Sequence, residues 1–330
     1  MPELHWKLGV EIELLAPPGK SRRDYACALA RHTGGSVSRY FHPQSELAAL
    51  ADTPVFHNLT LAYRVMDSEG RWVASVVDDL TLQADLRREA RPVDGWYRIL
   101  SDDKRLLSLV AAQADPDLPV ESVLQPIARL FRTELVRGGG GMVKVQDSSG
   151  ESVAIATPLP GERERPCEVV TAPMESGHRD TLEMFLSLAR KEGFTTPHEG
   201  AIHLHFDGGP FRSASALASL VNIFAEKGAE LRQRLGTNPH CRRLGEWPET
   251  LLTTVNAEGF LELTWPEAQR KLAGLGLTKY CDFNLRNLLR DDDFCTFEVR
   301  VLPVWLETMP LLKAAEQVES LLRLAVQQAT

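Results

Sequence analysis

Apolar and acidic residues alternate with a period of two in Gly9-Val10-Glu11-Ile12-Glu13-Leu14. Similar alternation returns in Ile202-His203-Leu204-His205-Phe206 and in Phe297-Glu298-Val299-Arg300-Val301, and Cys167-Glu168-Val169-Val170 carries a single polar member. Successive side chains of a strand point to opposite faces, so each run predicts a strand with one apolar face. Glu11 and Glu13 then share the opposite face, as do His203 with His205 and Glu298 with Arg300. Together the four runs predict a sheet whose second face carries carboxylates, imidazoles and a guanidinium. Such a face suits hard divalent cations and a polyanion.

Other elements follow from the same patterning. A strand is expected over 6–15 and a helix over 21–33, with Ser21 as N-cap, Asp24 in a capping-box position and Gly34-Gly35 as its end. Strand-like runs occupy 59–67, 72–77 and 79–84, separated by Asp67-Ser68-Glu69-Gly70 and Asp78-Asp79. Helices are expected over 101–114 and 120–137, then strands over 142–146 and 152–157. Gly161-Glu162-Arg163-Glu164-Arg165-Pro166 reads as a solvated loop leading into the Glu168 strand. Later helices span 178–192, 213–235 and 306–328, and another starts at Pro266, a favourable first-turn residue. The hairpin-like connections of the first half indicate a mixed or antiparallel sheet. No internal repeat or linker is visible. The reading is a single domain over 1–330, with a less recognisable elaboration at about 52–140.

A chain of 330 residues, 43% hydrophobic and 25% charged, is long enough for a large core and has the composition of an ordered protein. Its net charge of -8 disfavours nucleic-acid binding by bulk electrostatics. No run approaches the roughly 18 apolar residues of a membrane span, and Met1-Pro2-Glu3-Leu4-His5-Trp6 lacks a basic region followed by an apolar stretch. Five dispersed cysteines without a CxxC pair read as reduced thiols, so a cytoplasmic location is expected.

Each candidate residue has a structural reading beside the chemical one. Carboxylates such as Glu11 and Glu13 repel one another on a half-buried face unless a cation sits between them, because like charges raise each other's pKa. They can also belong to a solvated strand face. His203 and His205 suit a metal with nitrogen and oxygen ligands, or contact with a nucleotide, and can equally be satisfied structural histidines. With Asp207 they form an HxHxD run that resembles the start of a metallo-β-lactamase-type zinc motif, but Gly208 stands where the third His belongs. Glu298 and Arg300 form either an ion pair or a metal-ligating carboxylate beside an anion clamp. Gly138 to Gly141 reads as a turn rather than a phosphate cradle, since no GxxxxGK[ST] pattern is present. Lys279 and Asn284, in Lys279-Tyr280-Cys281-Asp282-Phe283-Asn284-Leu285, can reach the site or simply belong to a loop.

In order along the chain, GVEIE (9–13), CEVVTAPM (167–174), IHLHF (202–206), YCDFNL (280–285) and TFEVRVL (296–302) resemble the amidoligases. These are relatives of glutamine synthetase and glutamate–cysteine ligase. The resemblance implies an α+β fold with a curved, mainly antiparallel sheet, a polar concave face that holds magnesium and ATP, and helices on the outer face. It implies Glu11, Glu13, Glu168, His203 and Glu298 as metal ligands, His205 near the nucleotide and Arg300 on the transferred phosphate. Lys279 and Asn284 are further nucleotide-binding candidates. The expected function is an ATP-dependent carboxylate–amine ligase using magnesium or manganese and an acyl-phosphate intermediate. Its carboxylate and amine substrates would be an amino acid, peptide or protein tail, with no nucleic-acid or membrane partner. Two alternatives stand beside it: a metal-dependent hydrolase built on His203, His205 and Asp207, and a non-catalytic binding protein on a ligase fold.

Overall fold

The computed structural model describes residues 4–45, 57–290 and 295–329. The first residues of the 52–140 stretch, 52–56, and Met1 to Glu3 of the N-terminal reading lie outside the described residues. In chain order the elements begin with β1 (Leu8–Leu15), α1 (Arg22–Thr33), β2 (Ser36–Ser45), β3 (His57–Met66), β4 (Trp72–Val77) and β5 (Pro92–Ser101). Next come α2 (Lys104–Gln113), α3 (Val120–Val123), α4 (Gln125–Phe131), β6 (Leu135–Arg137), β7 (Val143–Gln146), β8 (Ser152–Pro160) and β9 (Pro166–Thr171). The rest are α5 (His178–Glu192), β10 (Ala201–Asp207), α6 (Ala214–Leu235), α7 (Glu249–Val255), α8 (Trp265–Ala273), β11 (Phe283–Asn284), β12 (Thr296–Pro303) and α9 (Thr308–Gln328). This is a mixed α/β protein with extensive antiparallel sheet. Among the described residues no helix is long and apolar enough to cross a membrane.

The chain divides into two compact units. The first comprises 1–14, 170–191 and 195–330, and the second 15–169 with 192–194. In the first unit β1 pairs with β10, β10 with β12, and β12 with β11, all antiparallel. The apolar members of these strands, Val10, Ile12, Ile202, Leu204, Phe206, Phe297, Val299 and Val301, are almost fully buried. Phe224 of α6 closes on this layer, with its ring 4.7 Å from Phe297 and 5.0 Å from Phe283. Burying aromatic rings edge to face adds to the area term that drives such packing. The opposite face of the same strands is thereby left to the polar residues.

In the second unit β3 is the central strand. It pairs along its whole length with β2, and its other edge is shared by β4 and β5. β5 continues to β8, β8 to β7 and β7 to β6, again antiparallel. Helices α2, α3 and α4 cover this sheet through Leu106, Leu107, Val110, Val123 and Ile127, which join Leu59, Leu61, Ile99 and Val145 in one core. Arg22 on α1 is fully buried, and with Arg163 it grips Asp78 at 3.3 and 2.8 Å.

Several sequence expectations hold. Ser21 and Asp24 form the capping box, and Gly34 closes α1 in the left-handed conformation. The helix expected over 213–235 forms as α6 and ends at Gly236, and Pro266 lies in the first turn of α8. Others are corrected. Residues 79–84 are turns, not a strand, because Asp79 accepts from the Thr81 amide and hydroxyl while Arg163 takes the Leu82 carbonyl at 2.9 Å. The expected helix at 120–137 breaks into α3, α4 and β6. Pro126 has no amide proton to continue the ladder, and Arg132 leaves the helix at φ 53°. The Gly161–Pro166 segment is not a solvated loop, since Arg163 is buried against Asp78. The four glycines form the turn between β6 and β7, with the Gly138 amide on the Met142 carbonyl.

Candidate active site

Strand register assembles the polar face of the first unit. Glu11 lies opposite His203 in the β1–β10 ladder, His205 opposite Glu298 in the β10–β12 ladder, and Asn284 opposite Glu298 in β11–β12. Paired residues on neighbouring strands carry their side chains to the same face, close enough to touch. A register irregularity between Ile202 and Leu204 brings β10 into phase with β12.

The contacts are short. His203 Nδ1 lies 2.9 Å from Glu11 Oε2, and His205 Nε2 lies 3.1 Å from Glu11 Oε1. Glu298 Oε1 receives Arg300 at 2.5 Å and stands 3.7 Å from His203 Nδ1 and 4.0 Å from His205 Nε2. Its Oε2 accepts from Asn284 Nδ2 at 2.5 Å. Glu13, also buried, accepts from the Ala201 amide at 2.7 Å, and its other oxygen is 3.8 Å from His203 Nε2. His205 Nδ1 meets Thr296 Oγ1 at 3.3 Å, and Asn287 donates to the same hydroxyl.

Charge balance explains how so many carboxylates sit together. Burial alone would raise the Glu11 pKa, but His205 and the hydrogen bond from His203 overcome it and hold the carboxyl well below the usual range. Burial likewise opposes ionisation of Glu298, and His205 and Arg300 outweigh it. Burial would discharge His205, yet Glu11 and Glu298 push its pKa up to about 9. His203 is lowered, by burial and then by Arg300, against the pull of the glutamates. Arg300 is raised, since Glu298 outweighs its burial. The repulsion expected between strand-face carboxylates is thus met by cations of the protein itself, His205 and Arg300.

A metal fits this arrangement. One ligand atom each from Glu11, His205 and Glu298 lies within 4.8 Å of the others. His205 Nε2 is buried without a well-aligned hydrogen bond, although it faces two carboxylates. The two carboxylates are donors for a hard ion such as magnesium or manganese, and the imidazole is a donor that softer ions such as zinc prefer. Binding there would release the His205 proton, as metal binding to a protonated ligand must.

The remaining candidates are placed as follows. Asn284 joins the cluster through Glu298. Lys279 does not: it is exposed, and its ammonium lies 5.5 Å from the ring of Tyr280. Glu168 is half-buried on β9, in the second unit; burial raises the pKa of the Tyr40 phenol, and the charge of Glu168 adds a smaller push in the same direction. Asp207 turns to cap its own turn by accepting from the Gly209 amide, so the HxHxD run does not converge as one ligand set. Gly208 is explained by space: a Cβ there would lie 2.2 Å from Leu288 and 2.8 Å from the Cys295 sulfur. Sequence reasoning missed Thr296 and Asn287. Thr296 was within reach of it, being two residues before Glu298 and so on the same strand face.

Residues 4–258 match the sequence family described as "Putative amidoligase enzyme". No curated protein and no solved structure matches the chain. The family match takes in β1, β9 and β10 and ends before β11 and β12, whose Asn284, Glu298 and Arg300 complete the cluster. Covering most of the chain, it makes this protein a member of the amidoligase family.

Proposed function

We propose that this amidoligase is an ATP-dependent carboxylate–amine ligase that works through an acyl phosphate on a glutamine synthetase-like catalytic fold. The observation that carries the reading is the convergence of Glu11, His205 and Glu298 with Arg300 attached to Glu298. Amide formation from a free carboxylate is uphill in water and needs an activated acyl group. Activation by ATP gathers two anions, the triphosphate and the substrate carboxylate, and a site for it needs cations and anion donors in fixed positions.

Glu11, His205 and Glu298 would hold magnesium or manganese, and the family resemblance adds Glu13, Glu168 and His203. When bound, the metal supplies charge neutralisation for the phosphates. Arg300 offers a planar fork to the transferring phosphoryl group, and its Nε is buried without a hydrogen-bond partner. A substrate carboxylate oxygen attacks the γ-phosphorus, and ADP leaves with the electrons of the broken bond. The amine nitrogen then attacks the acyl carbon, phosphate leaves, and the nitrogen gives up a proton. The substrates are an amino acid, peptide or protein tail, the setting is the cytoplasm, and neither nucleic acid nor membrane takes part.

The test is incubation with magnesium, ATP and pools of candidate carboxylates, with hydroxylamine as the trapping amine. We expect ADP and phosphate together with a hydroxamate. AMP and pyrophosphate as products would replace the acyl phosphate by an adenylate. A tightly held stoichiometric zinc with no nucleotide turnover would move the protein to the hydrolase class.

A further inference from the structure

A second concavity opens at the edge strand β11, between α6 and the segment that leads into α7. Its volume is about 540 Å³, within the range of small-molecule sites. Phe224, Phe283 and Trp247 supply its aromatic surface, and Gly228, Ala225 and Ala229 keep the facing side of α6 low. Alternation along β11 separates it from the carboxylate cluster. Asn284 reaches Glu298, whereas Phe283 turns the other way, to stack against Phe297 at 6.3 Å.

Arg232, Gln233, Thr237, Glu246 and Asp282 supply its polar lining, and Arg232 is the cation among them. Trp247 is pinned by its indole donating to the Phe283 carbonyl at 2.5 Å. Asp282 is buried and accepts from the Gly245 amide at 2.9 Å and from Arg232 NH1 at 3.0 and 2.9 Å. Only NH1 of Arg232 is engaged in this way, and its side chain is 39% exposed. Arg232 also lines the cavity, beside these aromatic rings. A flat apolar body with an anionic end matches both features, through ring stacking and a charge-assisted hydrogen bond.

We propose that this cavity is a binding site for a small aromatic carboxylate, distinct from the carboxylate–imidazole cluster. Asp282 lines the cavity as the partner of Arg232, and its backbone carbonyl accepts from the Arg300 amide at 2.9 Å.

Titration calorimetry with phenylacetate, phenylacetamide and phenethylamine tests it on the full chain. We expect phenylacetate to bind about tenfold or more tightly than its neutral amide, the usual margin of a charge-assisted contact over a neutral one. Arg232→Gln should erase that difference. Because this change leaves Asp282 buried without its partner, Ala229→Phe serves as the second variant: it fills the cavity without touching the ion pair and should abolish binding. Glu298→Gln should leave binding unchanged. No phenylacetate binding, equal affinity for acid and amide, preference for the amine, persistence in Ala229→Phe, or loss in Glu298→Gln would each overturn the proposal. None of these readouts depends on ligase turnover, so the outcome is separable from that of the proposed function.

Discussion

Arg300 holds one nitrogen on Glu298 at 2.5 Å and keeps its Nε buried without a hydrogen-bond partner. Lysine at that position retains the charge but loses the fork. For Arg300→Lys we expect nucleotide affinity near wild type and a rate lower by about 10²–10³, the usual value of a donor that strengthens in the transition state. Steady-state rates close to wild type would reduce Arg300 to an ion-pair role. Glu11 is different, because two imidazoles depend on it at 2.9 and 3.1 Å. Repulsion among glutamates alone would predict that Glu11→Gln stabilises the protein. The observed pairing predicts the opposite, a loss of about 1–3 kcal/mol in denaturant unfolding without metal, since a partly buried cation loses its acceptor. Equal or greater stability would show that repulsion dominates after all. At this scale the sequence was readable wherever strand period alone decides the outcome. Glu11, His203, His205, Glu298 and Arg300 share a face for that reason. Lys279 escaped the rule because it lies in a loop, where spacing says nothing about direction.

Elements were readable where local chemistry is self-sufficient. The cap at Ser21 and the terminating glycines at 34 and 236 act within one turn of their own helix. Strand β2 was not readable. It carries Pro43 and little buried apolar surface, and it exists because β3 pairs with it along ten residues. Its tight entry is set by Gly35, where a Cβ would lie 1.8 Å from the Met66 carbonyl oxygen. The segment 161–165 misled for a related reason: its Arg163 is buried and paired at long range with Asp78. Glu164 there has its pKa pushed up to about 7 by burial, with Asp24 and Glu162 adding and Arg22 opposing. The fold therefore favours the protonated carboxyl. Its contribution is complete below the ordinary carboxylate value of about 4.5 and is lost as pH rises through about 7. Glu164→Gln should flatten the decline in melting temperature between pH 5 and pH 8. An unchanged decline would assign that slope to other groups.

At the scale of the whole molecule, one feature was readable and another was hidden. Ordered motifs announced the family because most place polar residues at the fixed period of a strand, and their order follows the chain. The division into two compact units was not announced, because no linker or composition shift marks it and the chain passes between the units more than once. The interior of the second unit shows why pattern reading fails there. Arg22, fully buried, donates to the Leu61 carbonyl, lies 4.6 Å from the Trp96 ring and reaches Asp78 at 3.3 Å. Arg163 arrives at the same aspartate from a segment that reads as surface. One carboxylate thus ties α1, the end of β4 and the loop before β9. Replacing a buried pair by apolar residues can cost nothing, but removing one member leaves a charge stranded in low dielectric. Asp78→Asn strands two guanidinium groups at once, so a loss of about 3–5 kcal/mol is expected. Urea unfolding of the variant would measure it. A change within about 0.5 kcal/mol, the range of ordinary surface substitutions, would mean that Arg22 and Arg163 find other acceptors and that Asp78 does not tie the three segments together.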